Sequence, residues 1–273
     1  MSFKEVESCL KLNLGKYQRK DVGNLNPDDG PSGQKKLAKD IFDQGLMHYF
    51  GFHHEEAAHC FLRCTQLEPD CALAHGMISL CHSPNYNFNG TVYYENTNYP
   101  NYDPNDCVNL TGGLFPSQQT AEYHSRLAME KAQILQGTAR QISEVEFQIL
   151  TAIRIRTNRP GIEPLTADDM VGRPYANILR ALYQKYPHDP EVAFLFSDSL
   201  MVLNAWHVYE FPTGRSMSPD TDEVQIVLQN SLRKHPNHPG LCHLFIHLSE
   251  MSSDPGRALA ACEPLRTQLR LLL

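Results

Sequence analysis

The chain has 273 residues, 24 Lys+Arg against 31 Asp+Glu for a formal charge of −7, and 41% hydrophobic residues, enough to bury a substantial core in one large domain or an array of small units. A net acidic balance with no long Lys/Arg run excludes nucleic acid as the main partner, since phosphate binding needs a basic surface. No stretch approaches the roughly 18 apolar residues of a spanning helix and the first thirty residues carry no apolar signal-peptide core, so the expectation is a cytoplasmic chain with no membrane partner.

Residues 1–34 are expected to be a flexible polar segment and 35–273 a single domain of helical repeats. Apolar periodicity and helix-ending prolines predict about five antiparallel helix pairs, at 35–51 with 55–68, 71–82 with 117–136, 141–157 with 168–186, 190–204 with 221–234, and 239–252 with 255–270. Three of the pairs carry insertions between their helices, at 83–116, 158–167 and 205–220. The first is rich in Asn, Tyr, Pro and Gly, a composition that excludes a helix, and its length points either to a functional loop or to a linker. Pro187 with Pro190, and Pro236 with Pro239, repeat a Pro-x-x-Pro spacing. The first proline ends one helix, and the second opens the next, where its missing N–H costs no hydrogen bond.

Within 37–70, Gly45, Ala57, Phe61, Cys64 and Pro69 stand at offsets 0, 12, 16, 19 and 24. This resembles the tetratricopeptide repeat, a 34-residue helix–turn–helix unit with a Gly, an Ala, an aromatic residue, a small residue and a Pro at those positions. The phrases FDQGLMHYFGFHHEEAAHCF, PDCALAHGMISLCHSPNYN and HPGLCHLFIHLSEMSSDPGRALAACEPLR narrow the similarity, from about Leu37 to Arg266, to a mostly uncharacterised, commonly bacterial family of such proteins. The resemblance implies an all-α tetratricopeptide-like solenoid that binds a protein or peptide in its concave groove. It also implies that relatives continue beyond this point with further histidine-bearing helices. The terminal Leu-Leu-Leu predicts either self-association through the last helix or a chain shorter than its relatives.

In such repeats the groove is lined by the second, fifth, ninth and twelfth residues of the first helix. Counted from Pro239, these include His243, His247 and Glu250, at i, i+4 and i+7 on one helical face; counted from Pro190, they include Glu191, Phe194 and Asp198. Asp198 and His247 fall at equivalent positions on adjacent helices, about 8–10 Å between axes. Two readings stay open. His243, His247, Glu250 and Asp198, with His238 joining, can hold a divalent transition metal such as Zn, Cu or Fe, and a bound metal could support an oxidoreductase or hydrolase. Alternatively the imidazoles cap helices, hydrogen-bond within the groove or recognise an acidic peptide.

Other clusters read as structure. His54 and His59 miss the HExxH zinc-protease spacing by one residue and span a turn, where Glu55 and Glu56 favour a helix N-terminus. His75 and 85–87 fall in the family-like stretch and are groove candidates without a deducible geometry. The eight cysteines form no CxxC pair and are expected to be reduced; Cys60, Cys64 and Cys71 suit close packing. Trp206, His207, Tyr209 and Phe211 begin the 205–220 insertion and either cover the groove or staple the loop down, the balance being towards the second. Asn89-Gly90-Thr91 and Asn109-Leu110-Thr111 match the glycosylation sequon by chance, given no secretory signal. The chain has no nucleophile elbow, phosphate loop or dinucleotide fingerprint, so the balance is towards a binding protein over an enzyme.

Overall fold

The computed structural model describes residues 33–87, 118–136, 142–157 and 172–268. These are predominantly helical: α1 (Gly33–Phe50), α2 (His54–Leu67), α3 (Ala72–Cys81), α4 (Gln118–Leu135), α5 (Glu144–Thr157), α6 (Arg173–Lys185), α7 (Pro190–Leu203), α8 (Pro219–Lys234), α9 (Pro239–Glu250) and α10 (Leu259–Gln268). A two-stranded antiparallel hairpin, β1 (Tyr209–Glu210) and β2 (Arg215–Ser216), lies between α7 and α8, and a 3₁₀ turn (Pro255–Ala258) leads into α10. All ten predicted helical segments are helices, with ends displaced by a few residues. The N-terminal segment through 32, the first insertion beyond 87, the second insertion and the terminal leucines lie outside the described residues. Among the described residues no helix is long and apolar enough to cross a membrane.

One connection occurs three times. Glu68-Pro69-Asp70-Cys71, Tyr186-Pro187-His188-Asp189 and His235-Pro236-Asn237-His238 each join a helix to the next in four residues. A proline denies the α conformation to the residue before it, and Glu68, Tyr186 and His235 accordingly sit at φ of −131°, −125° and −127°. Their amides still close the last helical turn, each at 2.8 Å, on Cys64, Leu182 and Ser231. Three residues on, Cys71, Asp189 and His238 donate their amides back to the carbonyls of Glu68, Tyr186 and His235 at 2.9, 3.1 and 3.1 Å, and the next helix begins. Asp189 Oδ1 caps α7 by accepting from the amides of Glu191 and Val192, and His238 Nδ1 caps α9 by accepting from Leu241. Pro190 and Pro239 then occupy first-turn positions, as their spacing predicts.

The described chain divides into two compact units. In the first, with α1–α5, every residue of α3 is buried, and α3 packs on α2, α4 and α5. Its Gly76 admits Leu150 of α5, whose Cδ2 would lie 2.4 Å from a Cβ there. Ser143 and Glu146 cap α5 reciprocally, each side chain accepting from the other's amide at 3.2 and 3.0 Å. In α1 and α2, Ala57, Phe61 and Cys64 are fully buried, and the Phe61 ring meets Phe42 at 5.2 Å. Gly45 allows that approach.

The second unit comprises 84–87 and α6–α10. Every residue of α7 from Glu191 to Leu203 is buried, and α7 packs on α6, α8 and α9, the same relation α3 has to its neighbours. Arg180 of α6 makes a forked pair with Glu223 of α8, at 3.0 and 2.9 Å. The 205–220 insertion holds the hairpin down by Arg257, which donates to the Tyr209 hydroxyl at 2.8 Å, Gln225 Oε1 at 3.0 Å and Ser249 Oγ at 3.1 Å. Gly214, at φ +64°, turns the hairpin so close to Ser253 that a Cβ would meet its backbone nitrogen at 2.3 Å. Tyr209 therefore staples the insertion as expected, whereas Phe211 is 89% exposed.

A Cβ at Gly45 would stand 2.7 to 2.9 Å from three atoms of the buried Phe61 ring. Gly45→Ala should therefore lower the unfolding free energy by about 1–2 kcal/mol in chemical denaturation, because overpacking exceeds the roughly 1 kcal/mol that alanine gains in helix propensity. Equal or greater stability would show that the ring relaxes freely.

Candidate functional site

Eight of the twelve residues of α9 are buried, and the remaining four, His243, Ile246, His247 and Glu250, fall at i, i+3, i+4 and i+7. That spacing is a single helical stripe. The opposite side carries Leu241, Leu244, Phe245 and Leu248 into the core, so the apolar pattern of the helix dictates which residues stay open.

Along the stripe, His247 Nε2 lies 3.1 Å from His243 Nε2 and His247 Nδ1 lies 3.0 Å from Glu250 Oε1. A carboxylate only accepts, so His247 Nδ1 carries the proton and its Nε2 presents a lone pair. His243 Nε2 must then be the donor in a neutral pair. The Tyr86 ring packs 5.3 Å from that of His247 and stacks at 5.2 Å on Trp206, whose backbone is in the left-handed region at φ +64°. Burial pushes the Tyr86 phenol up to about 12; the Glu250 carboxylate adds to the rise and the Trp206 backbone opposes it. The site is a polar stripe roofed on one side by stacked aromatic rings. Tyr86 is the residue that sequence reasoning could not assign: its family-like phrase marks it as of interest, but nothing in the order of residues ties it to a helix so far downstream.

The other expected site residues lie deeper. Glu191, Phe194 and Asp198 are buried on α7, which has no open stripe. Burial raises the Glu191 carboxyl to about 7, against the effect of its own backbone amide. His238 is engaged as the α9 cap. Burial lowers its imidazole to about 3, with His235 adding to the fall. Among the described residues no three His, Cys, Asp or Glu side chains converge as a closed metal shell would require.

A second imidazole pair occurs in the first unit, where His75 Nδ1 of α3 meets His124 Nδ1 of α4 at 3.0 Å with the rings stacked. Both are buried, and burial, His124 and Lys131 together lower His75 to about 3. His54 and His59 both lie in α2, not across a turn as expected, because the helix begins at His54. His54 stacks on Phe52 whereas His59 is buried with Nδ1 3.8 Å from Glu56 Oε2, so the two have different surroundings, in line with their five-residue spacing. His48 is held at about 4 by burial, opposed by Glu56 and reinforced by His53 and His59, and its ring nitrogens have no hydrogen-bond partner among the described residues. Cys60, Cys64 and Cys71 are buried, and hydrogen bonding with Cys71 together with burial raises the Cys64 thiol well above the ordinary range. A cleft of about 430 Å³ between α8 and α10, lined by Leu232, Phe245, Arg257 and Ala261, opens on the side of α9 away from the histidines.

Comparison with family models, with curated protein sequences and with solved structures finds no match to this chain.

His48, His75 and His238 are neutral in the folded chain but take up a proton near pH 6.5 when unfolded. The unfolded state thus binds more protons between about pH 6.5 and the folded values of about 4 and 3, and stability falls as pH drops through that window. His238→Asn retains a capping acceptor without titrating. Its urea midpoint should lose less than the wild type's between about pH 7 and about pH 5; parallel losses would show that His238 does not contribute.

Proposed function

We propose that the chain is a tetratricopeptide-like helical-repeat protein that binds a protein or peptide partner, in the cytoplasm, through the open stripe of α9. The stripe carries the reading: on an otherwise buried helix it leaves His243, Ile246 and His247 partly open and Glu250 exposed, and the two imidazoles and the carboxylate stand at positions where such repeats present their groove. Gly45 under Phe61, the buried Ala57 and Cys64, and the thrice-used proline connection support the repeat assignment. Imidazole can donate or accept hydrogen bonds with an extended chain and the carboxylate can accept them, and Trp206, about half exposed, adds an aromatic contact surface.

A photo-crosslinking residue placed at Ile246 should capture a discrete protein from an extract of the source cells. The same residue at Ile226, which is exposed on α8, should not. Capture at neither position, or equally at both, removes the α9 stripe as the partner site.

A further inference from the structure

We propose that His243 and His247 bind a divalent late transition-metal ion through their Nε2 atoms, with Glu250 as the carboxylate that orients His247 from behind. The two Nε2 atoms are 3.1 Å apart. An ion about 2.0–2.1 Å from each would subtend an angle of about 100°, between the cis angle of a tetragonal site and that of a tetrahedral one. The i, i+4 helical spacing sets this separation, so no backbone movement is needed. Glu250 accepts the Nδ1 proton of His247, leaving Nε2 as a lone pair; this carboxylate–histidine arrangement is the usual outer support of a metal-bound imidazole. On binding, the proton on His243 Nε2 leaves that atom, to Nδ1 or to solvent, and the second lone pair becomes available.

The surroundings permit entry. His243 and His247 are half-buried and Glu250 is exposed, while Tyr86 and Trp206 wall one side. With two protein donors, the ion keeps its remaining positions for water or for a donor from a partner. The pair His75/His124 is a built-in contrast. Its nitrogens are equally close, at 3.0 Å, but its rings are stacked at 25°, both residues are buried, and the nearby charge is the cation Lys131. It is a buried hydrogen-bonded pair and should take no ion.

The chain has one tryptophan, and Trp206 stacks on the tyrosine that packs against His247. Its emission is therefore a local reporter. Ni(II), which the exposed Cys262 thiol does not reduce, is titrated into the full chain. The expected result is saturable quenching at one equivalent, reversed by chelator and competed by Zn(II). His243→Asn and His247→Asn should each shift the midpoint at least tenfold and Glu250→Gln about tenfold, with His75→Gln at the wild-type value. The inference is overturned if the wild type shows no saturable quenching at one equivalent. It is equally overturned if the Asn variants, with unchanged helical circular dichroism, keep the wild-type midpoint, or if His75→Gln loses as much as they do. The assay contains no partner protein, so it is independent of the crosslinking result.

Discussion

A proline two residues past a helix end governs this architecture. By barring the α conformation to the residue before it, the proline stops the helix at Leu67, Lys185 or Lys234 and turns the chain through the same two hydrogen bonds each time. In each case the next helix packs on the one it follows. Local chemistry sets the connection, and burial then stabilises the packed pair.

The same packing relation recurs in both units. α3 and α7 are each flanked by three helices and are buried along their length. Polar residues there must be neutral or hydrogen-bonded, which is why Glu191 rises to about 7 and why Ser79 Oγ of α3 donates to the Ala121 carbonyl at 2.7 Å. α9 keeps one stripe in contact with solvent, so His243, His247 and Glu250 are not enclosed as the polar residues of α3 and α7 are. Environment thus separates two imidazole pairs with nearly the same nitrogen separation. One joins two helices in the core, and the other lies along a single open helix beside a carboxylate.

Much of this was legible in the residue order. The ten helices follow from apolar periodicity and from prolines, both local signals. The grouping of His243, His247 and Glu250 follows from helical geometry alone, since i, i+4 and i+7 share a face wherever the helix sits. The divergence of His54 and His59, and the packing of Cys60, Cys64 and Cys71, were readable for the same reason.

Tertiary structure decided what those faces meet. The repeat count gives Glu191, Phe194 and Asp198 the same standing as the α9 residues, yet α7 is enclosed and α9 keeps an open stripe, a difference that equal positions in the repeat do not carry. The pairing of His75 with His124, the stacking of Tyr86 on Trp206 beside His247, and the hold of Arg257 on Tyr209 join residues far apart in the chain. Period and capping are properties of neighbouring residues and can be read from their order. Burial and cross-helix contact depend on how the helices stack, and only the folded chain sets them.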